Sequence, residues 1–274
     1  MLAFVVTVPA DEVDLASDAL WQLGVRAIEE RPDDSSVDCV ELWTAVGDGP
    51  DAVARATDRL GERWPSRVVD LVDDTADTWR DFARPMWVDD DLVVVPAWQH
   101  HAFDDGVVAI AIEPGGAFGL GDHPTTLLSL RAARRDLVVD RAVLDVGCGT
   151  GVIAVMAALL GARAVRAVDV ASAAVEASLD NARRNGVVDR IVADTTPAGE
   201  LDGTYHLVVA NILAPTLVEL ADDLRRLTAP DGKLVVSGIL SDRHDHVLAA
   251  LAPMVVVQTD HLDGWAAVTL RHPG

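Results

Sequence analysis

The stretch Val143–Gly151, which reads VLDVGCGTG, combines an apolar β-branched run with three glycines at alternate positions. The run VLDV is typical of a buried strand, and the apolar segment GVIAVMAALLG that begins at the last glycine is typical of a helix. Glycine tolerates backbone dihedrals that other residues avoid, and it lets a ligand approach the chain closely. The first N–H groups of a helix are unpaired and attract anionic groups. The stretch therefore predicts a strand, a ligand-binding turn and a helix, which together begin an α/β sheet.

Strand and helix patterns alternate from Arg141 to the C-terminus. The strand-like runs are AVLDV, AVRAVDV, RIVAD, HLVVANI and KLVVSGI, and the helical segments between them are GVIAVMAALLG, ASAAVEASLDNARRNG and APTLVELADDLRRL. This order predicts a parallel sheet with helices on both faces. The last two runs, MVVVQTD and WAAVTLR, are separated by HLDG, which is typical of a hairpin. We therefore expect a Rossmann-like, seven-stranded sheet that an antiparallel strand closes.

Residues 1–74 predict a separate, small α+β domain. Its strand-like runs are FVVTVPA, VRAIEE, DCVELWTAV and VVDLV, and its helical segments are DLASDALWQLG and DAVARATDRLGERW. The order β-α-β-β-α-β is that of a ferredoxin-like domain. We expect Asp11 to cap the first helix and Gly24 to end it.

Residues 75–88 predict a linker helix that Pro85 breaks, and the second domain is expected to span residues 89–274. The aromatic residues of the linker form either an interdomain packing surface, which we favour, or a recognition surface. They are Trp79, Phe82 and Trp87.

Composition indicates a soluble, acidic protein. No apolar run in the 274 residues approaches the length of a membrane span, the N-terminus lacks the pattern of a signal peptide, and the only cysteines are Cys39 and Cys148. We therefore expect a cytoplasmic protein without a membrane partner. A monomer is a separate expectation. The formal charge is −22, which disfavours direct binding of nucleic acid and favours a basic protein partner, although solubility alone is an equal explanation. Residues 1–75 contain 17 acidic and 6 basic residues.

An acidic residue, Asp169, ends the second strand 22 residues after Gly147. A carboxylate at this distance accepts hydrogen bonds from both hydroxyls of a ribose, so an adenosine-type cofactor is expected in a crevice at the strand ends. A nicotinamide dehydrogenase is one rival, but Val152 stands where the fingerprint G-x-G-x-x-G requires its last glycine. A silent binding module is the other rival, and it would not need Asn211 or the loop described below.

Three further polar residues lie at predicted strand ends. Asp145 precedes the glycines, where it orients the turn or meets a cationic group. Asp194 ends the third strand, where it holds an adenine amino group or caps a turn. Asn211 ends the fourth strand, where it accepts from an amine and donates to the cofactor, or serves as a turn residue before Pro215.

The loop AFGLGDHPTT, Ala117–Thr126, precedes a helical pattern. Pro124 suits the first turn of a helix, with Asp122 or His123 as the cap. Thr126 then lies in that turn beside exposed N–H groups. We expect the loop to fold over the cofactor, with His123 as a cap rather than a base.

These motifs resemble those of a known family. VLDVGCGTG, the acidic residue at 169 and the closing hairpin look like those of class I S-adenosylmethionine-dependent methyltransferases. WRDFARP, FGLGDHPTT, VVANILA and LVVSGIL more closely resemble the PrmA family of ribosomal protein methyltransferases, from about Trp79 to the C-terminus. The resemblance implies transfer of methyl groups from S-adenosylmethionine to lysine side chains and the N-terminal amine of a basic large-subunit ribosomal protein. The separate α+β architecture of residues 1–74 and their disproportionate negative charge predict that this domain recognises the substrate.

The resemblance carries the family's cofactor contacts over to Thr126, Gly147, Asp169 and Asn211, and Asn211 is the candidate catalytic residue. The complete candidate cofactor site adds neighbouring residues of the loop, the glycine turn and the third strand, and no metal. The added residues are Phe118, Gly119, Gly121, His123, Asp145, Cys148, Gly149, Gly151 and Asp194. The family loop reads F-G-T-G-x-H-x-T-T, whereas this chain has Leu120 at the first threonine and Asp122 at the variable position. Another lysine-bearing protein or a small amine is therefore the alternative acceptor.

Overall fold

The computed structural model describes residues 2–21, 23, 25, 28–33, 36, 38–46, 50–61, 63–70, 83–113 and 123–274. The chain divides into two compact units, Met1–Ala83 and Arg84–Gly274. Gly24, Trp79 and Phe82, which the sequence analysis singled out, lie outside the described residues.

The smaller unit has the predicted ferredoxin-like order of elements. Its strands are β1 Leu2–Pro9, β2 Ile28–Pro32, β3 Cys39–Thr44 and β4 Ser66–Asp70, and its helices are α1 Val13–Trp21 and α2 Pro50–Leu60. The strands form one antiparallel sheet in the order β2-β3-β1-β4. Phe4, Val6 and Val8 alternate along β1 and are buried in a core with Leu20 of α1 and Leu60 of α2.

Two boundaries in this unit differ from the predicted ones. Asp11 lies inside a 3-10 turn, Ala10–Glu12, that leads into α1, so helical geometry begins before the position at which Asp11 was expected to cap the helix. The chain already enters a helical turn directly after Pro9. Helix α2 ends before Gly61, because this glycine adopts a φ of +63° and donates its N–H to the Thr57 carbonyl.

The larger unit contains the predicted seven-stranded sheet. Its strands are β8 Ala142–Val146, β9 Ala164–Val168, β10 Ile191–Asp194, β11 Tyr205–Asn211, β12 Thr228–Leu240, β13 Val255–Leu262 and β14 Trp265–Arg271. They lie in the order β10-β9-β8-β11-β12-β14-β13. The first five are parallel, and β14 is antiparallel to both of its neighbours, as the hairpin signal predicted.

Helices cover both faces of this sheet. They are α3 Pro124–Asp136, α4 Val152–Leu159, α5 Ser172–Arg184, α6 Ala214–Glu219, α7 Ala221–Leu227 and α8 Asp245–Ala250. Successive strand residues point to opposite faces of the sheet and so alternate between two cores. Val143, for example, is in the core with α3 to α5, and Leu144 is in the core with α6 to α8. The segment APTLVELADDLRRL, predicted as one helix, is divided into α6 and α7 at Leu220, whose ψ of 3° departs from helical geometry.

A second, three-stranded sheet in the larger unit was not predicted. Its strands are β5 Met86–Asp89, β6 Leu92–Pro96 and β7 Val108–Ile112. Residues 86–88 were expected in the linker helix, and this part of the prediction is wrong because Val88 and Leu92 are buried in the core beside α4. Trp87 is 44% exposed and packs edge-to-face on Phe103, with ring centroids 5.7 Å apart. Residues 75–82 of the expected linker lie outside the described part of the chain.

Across the described residues, none of the helices has both the length and the apolar character that a membrane span requires.

Candidate active site

The carboxyl ends of four adjacent parallel strands bring the predicted polar residues to one edge of the sheet. Strands β10, β9, β8 and β11 are neighbours, and each ends at or just before a predicted site residue. These residues are Asp194, Asp169, Gly147 and Asn211. Edges of this kind are where ligands bind in open α/β sheets.

The glycine turn between β8 and α4 has the backbone geometry that its sequence predicted. Gly147, Gly149 and Gly151 have φ angles of +73°, +51° and +76°, a region that side-chain-bearing residues avoid. A Cβ atom on Gly147 would overlap the Ile212 side chain, and one on Gly151 would overlap Ser178. All three positions are therefore restricted to glycine by their dihedrals, and Gly147 and Gly151 are also restricted by packing.

Asp169 holds the middle of this turn. Its Oδ2 accepts the Gly149 N–H at 3.0 Å, and its Oδ1 accepts the Ala171 N–H at 2.9 Å. Each carboxylate oxygen has two acceptor sites, so the bonds from described residues leave one on each oxygen. The half-buried carboxylate can thus organise the turn and accept two hydroxyl groups at the same time.

Asp145 lies beneath the turn and is 1% exposed. Its Oδ2 accepts the Ala154 N–H in the first turn of α4 at 3.2 Å, while its Oδ1 has no hydrogen-bond partner among the described residues. Burial raises the pKa of this carboxyl to about 7, and the nearby Asp169 carboxylate adds to the rise. Burial likewise raises the pKa of the Cys148 thiol, which points to an inert side chain rather than a nucleophile.

Asp194 is engaged in local bonds at the end of β10. Its Oδ1 accepts the Thr196 N–H at 2.9 Å, and its Oδ2 lies 2.5 Å from the Arg166 guanidinium. Burial raises the pKa of this carboxyl, but the Thr196 hydrogen bonds and the Arg166 pair outweigh it and hold the pKa below its ordinary value. These contacts are those of the turn-capping alternative for Asp194.

Asn211 ends β11 in a half-buried position, level with Ser237 of β12. Among the described residues, none forms a hydrogen bond with its side-chain amide. The following residue, Ile212, approaches the backbone of Gly238, where a Cβ atom would collide with the Ile212 carbonyl. Close packing therefore fixes the strand end that carries the Asn211 amide.

The loop before α3 is described only from His123 onward. Phe118, Gly119, Leu120, Gly121 and Asp122 lie outside the described residues. His123 is the N-cap of α3, as expected: its Nδ1 accepts the Thr125 N–H at 3.3 Å and lies 2.7 Å from the Thr125 hydroxyl. Thr126 is buried in the first turn of the helix.

Sequence reasoning missed several residues that support this edge. The single Ser237 hydroxyl hydrogen can be donated to the Thr125 or the Ala266 carbonyl, at 3.3 and 3.2 Å, and the Trp265 ring packs edge-to-face on His123 at 5.1 Å. A serine within the apolar run KLVVSGI was the available signal for Ser237. Ser178 and Asn181 of α5 are fully buried, although polar residues of a helix usually indicate its solvent face.

Comparisons with known proteins agree with this geometry. The model of the ribosomal protein L11 methyltransferase (PrmA) family matches residues 54–273. A ribosomal protein L11 methyltransferase of Geobacter sp. (strain M21) is 35% identical, with 97% of this chain and 96% of the relative covered. Another, from Citrifermentans bemidjiense, is 39% identical, with 73% and 68% covered.

Among solved structures, the crystal structure of a ribosomal protein L11 methylase from Lactobacillus delbrueckii subsp. bulgaricus superposes with a TM-score of 0.64 at 30% identity. The superposition covers 69% of this chain and 99% of that one. The match of the family model to most of the chain, including every described site residue, settles the assignment: this chain belongs to the ribosomal protein L11 methyltransferase (PrmA) family.

Proposed function

We propose that this enzyme transfers methyl groups from S-adenosylmethionine to lysine side chains and the N-terminal amine of ribosomal protein L11, in the cytoplasm and as a monomer. The observation that carries the proposal is the family match over residues 54–273, which includes the glycine turn, Asp169 and Asn211. Relatives that match almost the whole chain carry the name ribosomal protein L11 methyltransferase, which supports the choice of acceptor.

The residues at the sheet edge fit an adenosine cofactor with a cationic centre. Asp169 retains acceptor sites for two ribose hydroxyls, and Asp145 offers a buried oxygen without a partner among the described residues. The turn at Gly147 and Gly149 presents backbone where side chains would exclude a ligand. Thr126 and Asn211 would complete the set of contacts. When bound, S-adenosylmethionine supplies an electrophilic methyl group on a sulfonium.

Asn211 is the residue that we assign to the amine acceptor. Its amide oxygen can accept one amine N–H and so aim the nitrogen lone pair, while its NH₂ group can donate to the cofactor. Exposing the neutral form of a lysine with a pKa near 10.4 costs about 4.6 kcal/mol at pH 7. Desolvation in the crevice lowers that cost, and release of the proton to water before the crevice closes makes a dedicated base unnecessary.

The smaller unit is the part that we assign to recognition of the acceptor. Residues 1–75 carry 17 acidic and 6 basic residues, which suits a basic ribosomal protein. The rival function is methylation of another protein or of a small amine by the same site.

Transfer of label from S-adenosylmethionine with an isotopic methyl group tests the proposal. The full-length enzyme is incubated with purified ribosomal protein L11 and, separately, with whole-cell extract. We expect label on lysine and N-terminal amines of L11 in both samples. We expect Asn211→Ala to incorporate much less label, even at cofactor concentrations that saturate this variant. Label on a different protein or on a small amine, with L11 unlabelled, would establish the rival function.

A further inference from the structure

We propose that Asn181 is a positioning residue of the cofactor site, which holds the glycine turn in register with strand β7 through its side-chain amide. The inference rests on the proposed function, because it assumes that the glycine turn binds the cofactor. Asn181 itself does not reach the sheet edge.

Asn181 lies on α5 and is 0% exposed, and both its Oδ1 and its Nδ2 form hydrogen bonds. Its Oδ1 accepts the Glu113 N–H at 2.9 Å, and its Nδ2 donates to the Glu113 carbonyl at 2.9 Å. The same Nδ2 donates to the Thr150 carbonyl at 3.0 Å. One buried side chain therefore ties together three points: helix α5, the residue that follows β7, and the glycine turn.

Asn185 repeats the contact to β7 one helical turn later. Its Oδ1 accepts the Ala111 N–H at 2.9 Å, and its Nδ2 donates to the Ala111 carbonyl at 2.8 Å. Four residues of helix advance about 6 Å, and two residues of strand advance roughly 6.6 Å. The spacing of the two amides thus matches the two-residue repeat of β7. They bond to the backbone edge of β7 that faces away from β6, as a neighbouring strand would.

Of these two asparagines, Asn181 also reaches the turn, through the Thr150 carbonyl. Thr150 is 1% exposed and lies between Gly149, which donates to Asp169, and Gly151, the N-cap of α4. The Thr150 carbonyl shares a peptide plane with the Gly151 N–H, which donates to the Cys148 carbonyl at 2.7 Å. Loss of the Asn181 donor removes one of the bonds that hold this peptide, and any rotation of the peptide changes the dihedrals on which the turn depends.

The test compares Asn181→Leu with the matched control Asn185→Leu in the full-length enzyme. Both variants lose an amide bridge to β7, so both are expected to lower the free energy of unfolding measured with urea. For Asn181→Leu we expect the Kd of S-adenosylhomocysteine, measured by calorimetry, to rise at least about fivefold, the effect of one lost hydrogen bond or more. The KM for S-adenosylmethionine should rise with it while kcat changes less. For Asn185→Leu the Kd should stay within about twofold of wild type.

A second pair keeps the comparison available if the leucine variants do not fold. Asn181→Ser and Asn185→Ser are smaller changes and are expected to show the same contrast. Asn181→Asp retains the acceptor for the Glu113 N–H but removes both donated bonds, so it should weaken S-adenosylhomocysteine binding as well. An unchanged Kd in a folded Asn181 variant, or equal changes at 181 and 185, overturns the inference. Failure of the wild-type enzyme to bind S-adenosylhomocysteine would instead contradict the proposed function.

Discussion

The Asp169 carboxylate accepts two backbone N–H groups of the site, and we propose that it also binds the ribose of the cofactor. Asp169→Ala removes both, and the loss of a charge-assisted pair of hydrogen bonds costs roughly 2–3 kcal/mol. We expect calorimetry to show S-adenosylhomocysteine binding weakened by tens-fold or more. Asp180→Ala removes the same charge from the exposed face of α5, where Asp180 pairs with Arg183, and should leave the affinity unchanged. An unaltered affinity in Asp169→Ala would remove this residue from the site.

Asp145 makes the stability of the enzyme depend on pH. Its pKa is about 7 in the folded chain and near 3.9 in the unfolded chain, so between these values the folded state binds the extra proton. Stability from this group is therefore present at low pH and is lost as the pH rises through 7. Asp145→Asn mimics the protonated carboxyl and lacks this dependence.

Urea unfolding of wild type and Asp145→Asn at pH 5 and pH 8 measures the effect. The free energy of unfolding of the wild type should fall by roughly 2–3 kcal/mol more than that of the variant between these two pH values. Parallel behaviour of the two proteins would mean that the buried carboxyl titrates near its ordinary pKa.

The first turn of α3 depends on His123 as its cap. Nδ1 of this residue accepts the Thr125 N–H, and its ring packs on Trp265. His123→Ala should cost about 1 kcal/mol of unfolding free energy, whereas His123→Asn keeps a capping oxygen and should cost less.

The rate of methyl transfer by His123→Asn distinguishes two roles of His123, a helix cap and a general base. If His123 only caps α3, this variant should retain most of the wild-type kcat at every pH tested. A large loss of kcat in His123→Asn, with unfolding free energy near that of wild type, would identify the imidazole as a base.

Regular elements were predictable where one local signal decides them. The parallel strands around Val143 are continuous apolar runs because both faces are buried, and the three glycines are required by local dihedrals. Sheet β5–β7 was missed because its strands are short. Their conformation depends on the burial of Val88 and Leu92 against residues that are far away in the sequence. Asn181 was missed because a polar residue on a helix indicates solvent unless the segment it bonds to, here Glu113, is known.

The distribution of negative charge along the chain bears on the choice of acceptor. The net charge is −22, and residues 1–75 contribute half of it in about a quarter of the length. Exposed charges of one sign raise the encounter rate with an oppositely charged partner, and salt screens them beyond ~10 Å at 0.1 M. If the acidic surface attracts a basic ribosomal protein, the kcat/KM for this acceptor should fall with added salt. The Kd of S-adenosylhomocysteine should change much less.

Removal of residues 1–75 separates recognition from chemistry. Every described residue of the candidate active site lies in the unit Arg84–Gly274, whose cores are formed by its own strands and helices. We therefore expect the truncated enzyme, once circular dichroism shows that it is folded, to bind S-adenosylhomocysteine with the wild-type Kd. Methylation of ribosomal protein L11 should be abolished, because the surface assigned to acceptor recognition is gone. Wild-type rates of L11 methylation by the folded truncated enzyme would show that residues 1–75 do not select the acceptor, and their negative charge would then serve solubility alone.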